Sequence, residues 1–377
     1  MAKKKKLSAA EIEKLYDAGE SRLTQDKLDF LLPQINDFVK EKKWVNLRPE
    51  YQRRLVWDRK KKSLLIESLL MNVPIPPVFL YESDLNRYEV MDGQQRLNTV
   101  MEFYENQFSL TGLGTWDVLN GFTYAKCPPR IQRGLDRRRL SATVLLAEHS
   151  KNGKTDFIRR EVFERLNTGG QHLNAQELRN SLYSGDFNDL LIRLAGNRLF
   201  DEIWKIPPYE GNYIGDFISP ELANNKLFKR MQDCEIVLRF FAFRRTTKIR
   251  GAVRKILDEC MSDYISITKS EIADLERRFL GALQIADKIF TPHTFEVMHA
   301  KGAWRPSQPL FDAVMIALDM LNSRWPALLK ARGKIKTALR AELEGESSYE
   351  IIVGKPNTAN AIKERINLIH NLLKKAT

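Results

Sequence analysis

The chain holds only three cysteines among 377 residues, Cys127, Cys234 and Cys260, and no CxxC pair. That scarcity excludes a disulfide framework and a cysteine-based zinc ribbon, and it fits a reducing cytoplasm. Histidine is nearly as rare. There are five, His149, His172, His293, His299 and His370, and only "HTFEVMH" brings two together. No P-loop, GxSxG or HExxH string occurs, so the common signatures of NTPases, serine hydrolases and zinc proteases are missing. No apolar run approaches the length of a membrane span, and no apolar stretch follows the lysines of "MAKKKKLSAAEIEKLYDAGE". We therefore read neither a membrane anchor nor a signal peptide, and the lysine run reads as a solvated tail. Acidic charge is also in deficit. Sixty-one Lys and Arg face 48 Asp and Glu, giving a net charge of +13 and a pI near 9.5. A field of that sign favours polyanionic partners but fixes no fold.

The length calls for two domains. A basic tail with a short helix is read over residues 1–24, a mixed α+β domain over 25–187 and an all-helical domain over 188–377. In the first half, "QINDFVKEKK" has helical spacing and "WVNL" reads as a short strand. Asp58 is a fitting N-cap for "RKKKSLLIESLLMN", which Asn72 and Pro74 stop. "VFLY" and "RYEVM" read as strands around the turn "ESDLN", and "LSATVLLAE" as a further strand. "TDFIRREVFERLNTGG" reads as a helix from Thr155, and "NAQELRNSLYSG" opens with a capping-box pattern, Asn174 to Glu177. Beyond about residue 186 strand signals nearly vanish and helical periodicity takes over.

Within "EVMDGQQRLNTVMEF", residues 89–103, strand gives way to helix at Gly93. A helix start exposes backbone N–H groups under a partly positive dipole, which makes it a ready anion site. Gly93 permits the sharp turn, and Gln94, Gln95 and Arg96 bring two amides and a planar guanidinium to the first turn. Asp92 could hold a metal ion, orient a water or lock Arg96 in place. A nucleoside triphosphate is the anion that fits best. The competing reading is a plain Asp-Gly turn with solvated polar residues.

Two further blocks flank this string: "LRPEYQRRLVWDRKKKSLLIESLLMNVPIPPVFL" before it and "VFERLNTGGQHLNAQELRNSLYSG" after it. Together the three resemble the N-terminal domain of GmrSD-type modification-dependent restriction proteins, a domain found also in the phosphorothioate-sensing SspE defence proteins. The hallmark DGQQR stands unbroken as Asp92 to Arg96. The YQR…VW element stands as Tyr51, Gln52, Arg53, Val56 and Trp57. The FxRLNTGG…L…ELRN element stands as Phe163, Arg165 to Gly170, Leu173 and Glu177 to Asn180. The helical half also looks like stand-alone members that lack an HNH-like nuclease.

The resemblance implies a ParB/sulfiredoxin-like fold whose DGQQR string binds and hydrolyses a nucleotide, with Mg²⁺, during bacterial defence against phage. By that resemblance Asp92, Gln95 and Arg96 are catalytic. Gly93, Gln94, Gln95, Arg96, Gln52, Arg53, Asn167, Thr168 and Gly169 are nucleotide-binding, and Asp92 is the residue for the metal. Asp92→Ala or Arg96→Ala would then abolish hydrolysis while leaving the fold intact. Read alone, without the resemblance, the glycine pair of "LNTGG" is an ordinary helix C-cap.

Two basic stretches, "RIQRGLDRRRL" and "RFFAFRRTTKIRGAVRK", suggest a DNA-facing surface. Its members would be Tyr51, Arg54, Arg137, Arg138, Arg139, Arg244, Arg245, Lys248 and Arg250, with Phe240, Phe241 and Phe243 packed in the core. The expected function is an NTP-hydrolysing, DNA-sensing subunit of a cytoplasmic restriction system, acting with a partner effector or nuclease. A nucleotide-gated DNA adaptor without turnover and a self-sufficient nuclease are the alternatives. The nucleotide's base, the DNA modification and any homo-oligomer stay open.

Overall fold

A computed structural model of the chain describes residues 8, 11, 13–14, 24–47, 57–146, 174–183, 185–208, 219–298, 302–354 and 357–377. Its contacts divide the described chain into two units, one drawn from residues up to 146 and the other from residue 174 onward. Among the described residues no helix is long and apolar enough to cross a membrane.

The first unit is built on one mixed sheet. Strands β1 (Thr24–Leu31), β2 (Val45–Asn46), β3 (Val78–Asp84), β4 (Arg87–Asp92) and β5 (Arg139–Leu146) lie in the order β1-β5-β3-β4-β2. β1 and β5 pair antiparallel, as do β3 and β4, whereas β5–β3 and β4–β2 are parallel. The β3–β4 hairpin turns at Asn86, which takes a φ of 55° and donates its N–H to Glu82. Asparagine tolerates that left-handed backbone better than most residues.

Helices α1 (Leu32–Asn36), α2 (Arg59–Leu70), α3 (Gln94–Tyr104) and α4 (Pro129–Asp136) complete this unit. Asp58 caps α2 by accepting from the N–H of Lys61 at 2.8 Å. Val78, Leu80 and Val90 from the sheet meet Ile66 of α2 and Leu97, Val100 and Phe103 of α3 in one apolar core. "QINDFVKEKK" starts as α1 and continues in a π-turn over Asp37–Glu41. β1 escapes the alternation rule because it is an edge strand. Its Gln25, Asp26, Lys27 and Asp29 are exposed, and only Phe30 is buried.

Most of the second unit is helical: α5 (Ala175–Leu182), α6 (Asp186–Ala195), α7 (Arg198–Trp204), α8 (Gln232–Arg244), α9 (Val253–Asp263), α10 (Lys269–Phe290), α11 (Gln308–Met320), α12 (Arg332–Glu344) and α13 (Ala359–Ala376). One small hairpin, Glu296–Met298 against Trp304–Pro306, interrupts them. α11 is buried on all sides from Leu310 to Asp319, as expected of a helix inside a larger bundle. Phe240, Phe241 and Phe243 of α8 are fully buried against rings such as Phe279.

The ELRN element lies in this second unit. Asn174 accepts from the N–H groups of Gln176 and Glu177, and Glu177 answers on the Asn174 N–H at 2.7 Å. Arg179 is 2% exposed; its guanidinium meets Asp258 at 2.8 Å and Glu235 at 3.0 Å. It also donates to Gln176 and to the carbonyl of Arg254. This cation ties α5 to α8 and α9. Arg179→Ala should therefore lower stability by about 3 kcal/mol by leaving two carboxylates facing one another, a loss read by urea unfolding.

Candidate functional site

β4 ends at Asp92, and Gly93 carries the chain into α3 with φ 97° and ψ 7°. Glycine is required there twice over. The backbone is left-handed, and a Cβ at this position would come within 2.4 Å of a Val78 methyl. The turn is thus pressed onto β3, and its glycine is fixed by packing before any ligand is considered.

Arg96 locks the same turn. Its guanidinium reaches Asp92 Oδ2 at 2.6 Å, the carbonyl of Pro77 at 3.3 Å and, at shorter range, the carbonyl of Pro76. Prolines hold these carbonyls in an extended segment ahead of β3. The Arg96 side chain is 13% exposed, whereas Asp92 is half exposed. Burial pulls the guanidinium pKa down and Asp92 opposes that shift, so the pair belongs together. Of the three roles open to Asp92 in the sequence, locking Arg96 is the one its geometry performs. Arg96 spends its fork on protein acceptors in this structure.

The two glutamines are buried as well. Gln94 donates from Nε2 to the carbonyl of Leu47 at 2.9 Å. Gln95 accepts on Oε1 from the N–H of Trp57 at 3.3 Å. Leu47 and Trp57 are thus both tied to the first turn of α3. Gln94 is therefore engaged with the backbone. Gln95 differs: its Nε2 is buried and has no hydrogen-bond partner among the described residues. It sits on the helix turn whose first N–H groups lack intrahelical acceptors.

Tyr51, Gln52, Arg53 and Arg54 lie outside the described residues, as do Asn167, Thr168 and Gly169. Among the described residues no group of three or more His, Cys, Asp or Glu gathers to hold a metal. Asp92 supplies one carboxylate, and Arg96 already takes one of its oxygens. With one carboxylate from the described residues, a Mg²⁺ would have to take most of its ligands from phosphate oxygens and water.

Residues 35–184 match the model of the GmrSD restriction endonuclease, N-terminal domain. This segment is a GmrSD N-terminal domain. No curated protein and no solved structure matches the chain. The GmrSD segment runs from the first compact unit into the second, where its ELRN end makes the buried contacts of Arg179.

The cations assigned to DNA divide into two kinds. Arg244 pairs with Asp319 at 2.8 Å, and Arg245 and Lys248 both pair with Asp263. Arg138 donates to the carbonyl of Leu70, at the end of α2, at 2.9 Å. These four are taken up by the protein itself, while Arg137, Arg139 and Arg250 are exposed. Sequence reasoning missed the acceptors at Pro76, Pro77 and Leu47, because nothing local couples them to residues 94–96. The run "PIPP" is the only advance signal of a rigid carbonyl-bearing segment.

Arg96→Ala should cost about 2 kcal/mol, since the buried fork is lost and its acceptors are left unpaired. Asp92→Ala, at a half-exposed partner, should cost less than about 1 kcal/mol. Gln95→Leu should also cost under about 1 kcal/mol, losing one long hydrogen bond but removing an unsatisfied donor. Thermal unfolding of the three variants checks this order.

Proposed function

We propose that the chain is a nucleotide-binding, DNA-sensing component of a restriction-type defence system, acting with a partner effector. The first turn of α3 is the nucleotide site. Three things support this reading: the GmrSD N-terminal domain itself, the open N–H groups of a helix tip, and the unpaired amide of Gln95. The last carries it. A buried donor without an acceptor costs about 1–3 kcal/mol and is seldom retained unless something else satisfies it. A phosphate oxygen supplies the acceptor that Gln95 Nε2 lacks. In this reading Arg96 is a positioning residue that keeps the turn rigid. Asp92, half exposed at the rim, is the group able to orient an attacking water. Its other oxygen remains open to solvent-borne partners, but no step is routed through a metal. The mixed sheet followed by a glycine turn and helix is also compatible with a ParB/sulfiredoxin-like fold.

A second reading is a nucleotide-gated adaptor that binds without turnover. The engaged fork of Arg96 favours it, because an arginine held by carbonyls cannot swing to a developing charge.

Titration with a panel of nucleoside triphosphates, with and without modified DNA duplexes, separates these readings. Wild type should bind at least one triphosphate, and Gln95→Glu, which removes the amide donor and adds negative charge, should abolish binding while the protein stays folded. Phosphate release that depends on Asp92 supports hydrolysis; tight binding without release supports the adaptor. No binding of any triphosphate rejects both.

A further inference from the structure

We infer that the outer face of α4 is a docking surface for the phosphate backbone of double-stranded DNA. The proposal rests on the DNA-sensing reading above and assigns it a site. At 100° per residue, Arg130, Arg133, Gly134 and Arg137 fall within an arc of about 100° on one side of this helix. Arg130, Arg133 and Arg137 are all exposed, and none has a carboxylate partner among the described residues. They span about 10 Å along the axis at 1.5 Å per residue.

The acid that could neutralise them faces the other way. Asp136, the one acidic residue in α4, accepts from the hydroxyls of Tyr104 at 3.0 Å and Tyr124 at 2.8 Å. Tyr104 and Tyr124 stack on one another, with ring centroids 4.4 Å apart. Gln132 faces inward too, donating to the carbonyl of Tyr124 at 3.0 Å, and Leu135 is fully buried. The inner side of α4 is thus fixed by hydrogen bonds and packing, and the arginines are held outward on a rigid support.

Two features oppose helix stability. Arg130 sits in the first turn, which has no acidic residue, where a cation opposes the helix dipole. Gly134 occupies the helix interior, where glycine is less stable than alanine, yet a Cβ there would meet nothing within 4 Å. Neither packing nor backbone geometry calls for it. A glycine flanking the three arginines, at the edge of their arc, does let a phosphate backbone come close. The guanidinium forks suit phosphate oxygens. A lipid surface is the poorer match, because a helix lying on a membrane needs an apolar face to insert. The apolar residues of α4, Ile131 and Leu135, are committed to the core.

Fluorescence anisotropy of the full chain with a labelled DNA duplex over a salt series tests this. Arg130→Gln, Arg133→Gln and Arg137→Gln together should weaken binding at least about tenfold at low salt. The slope of log K against log salt should become shallower by about 2–3, as expected for the loss of three phosphate contacts. A charge-matched control, Lys334→Gln with Lys374→Gln and Lys375→Gln on exposed positions of the second unit, should leave that slope unchanged. Gly134→Ala should raise the melting temperature yet weaken DNA binding, a combination that a purely structural helix would not give. A triple variant that binds duplex as wild type does overturns the docking face but leaves the DNA-sensing reading standing. A control that loses as much as the triple variant also overturns the face, in favour of bulk charge. Wild type that ignores duplex at low salt overturns both. A triple variant that keeps duplex binding but loses binding to phosphatidylserine vesicles reassigns the face to lipid.

Discussion

The contact of Gly93 with Val78, and the clamp that Arg96 closes around it, organise the first unit. Only a residue without a Cβ lets the end of β4 press onto β3 and then turn into a helix. Arg96 then binds the turn to Asp92 on one side and to the Pro76 and Pro77 carbonyls on the other. With the tip of α3 held in this way, Gln94 and Gln95 can reach Leu47 and Trp57. The polar side chains of Asp92, Gln94, Gln95 and Arg96 are thus mostly consumed in fixing backbone. What remains for a ligand is small and specific: open N–H groups, one amide nitrogen and a half-exposed carboxylate.

This arrangement changes how a motif of this kind is understood. A string such as DGQQR invites each side chain to be treated as a contact to the bound anion. Here burial divides the labour. Gly93, Gln94 and Arg96 build the platform, and Gln95 alone combines burial with an unspent donor. The same division recurs at Arg179, whose guanidinium serves α8 and α9 within the second unit. Three arginines along α4 and its C-cap are the opposite case, exposed and without a carboxylate partner among the described residues, while Asp136 is held by two tyrosines.

Local features were legible in the sequence. The Asp58 cap, the Asn174–Glu177 capping box, the β3–β4 hairpin and the strand–glycine–helix junction all rest on neighbours a few residues apart, where spacing and residue type carry the information. β1 was not legible, because an edge strand with three charged side chains in eight residues shows little alternation. The partners of Arg96 were hidden for another reason: its carbonyl acceptors lie 19 and 20 residues upstream, beyond any periodic pattern. Arg179 meets carboxylates 56 and 79 residues away, and an exposed helix charge reads the same as a buried one until tertiary packing is known.

A crystal structure of the chain soaked with a non-hydrolysable nucleoside triphosphate analogue tests the account at its centre. A phosphate oxygen should lie within hydrogen-bonding distance of Gln95 Nε2 and of the α3 tip, with Arg96 still bound to Asp92 and the Pro77 carbonyl. A phosphate chain seated elsewhere, or one held by an Arg96 that has swung free of those acceptors, would contradict it.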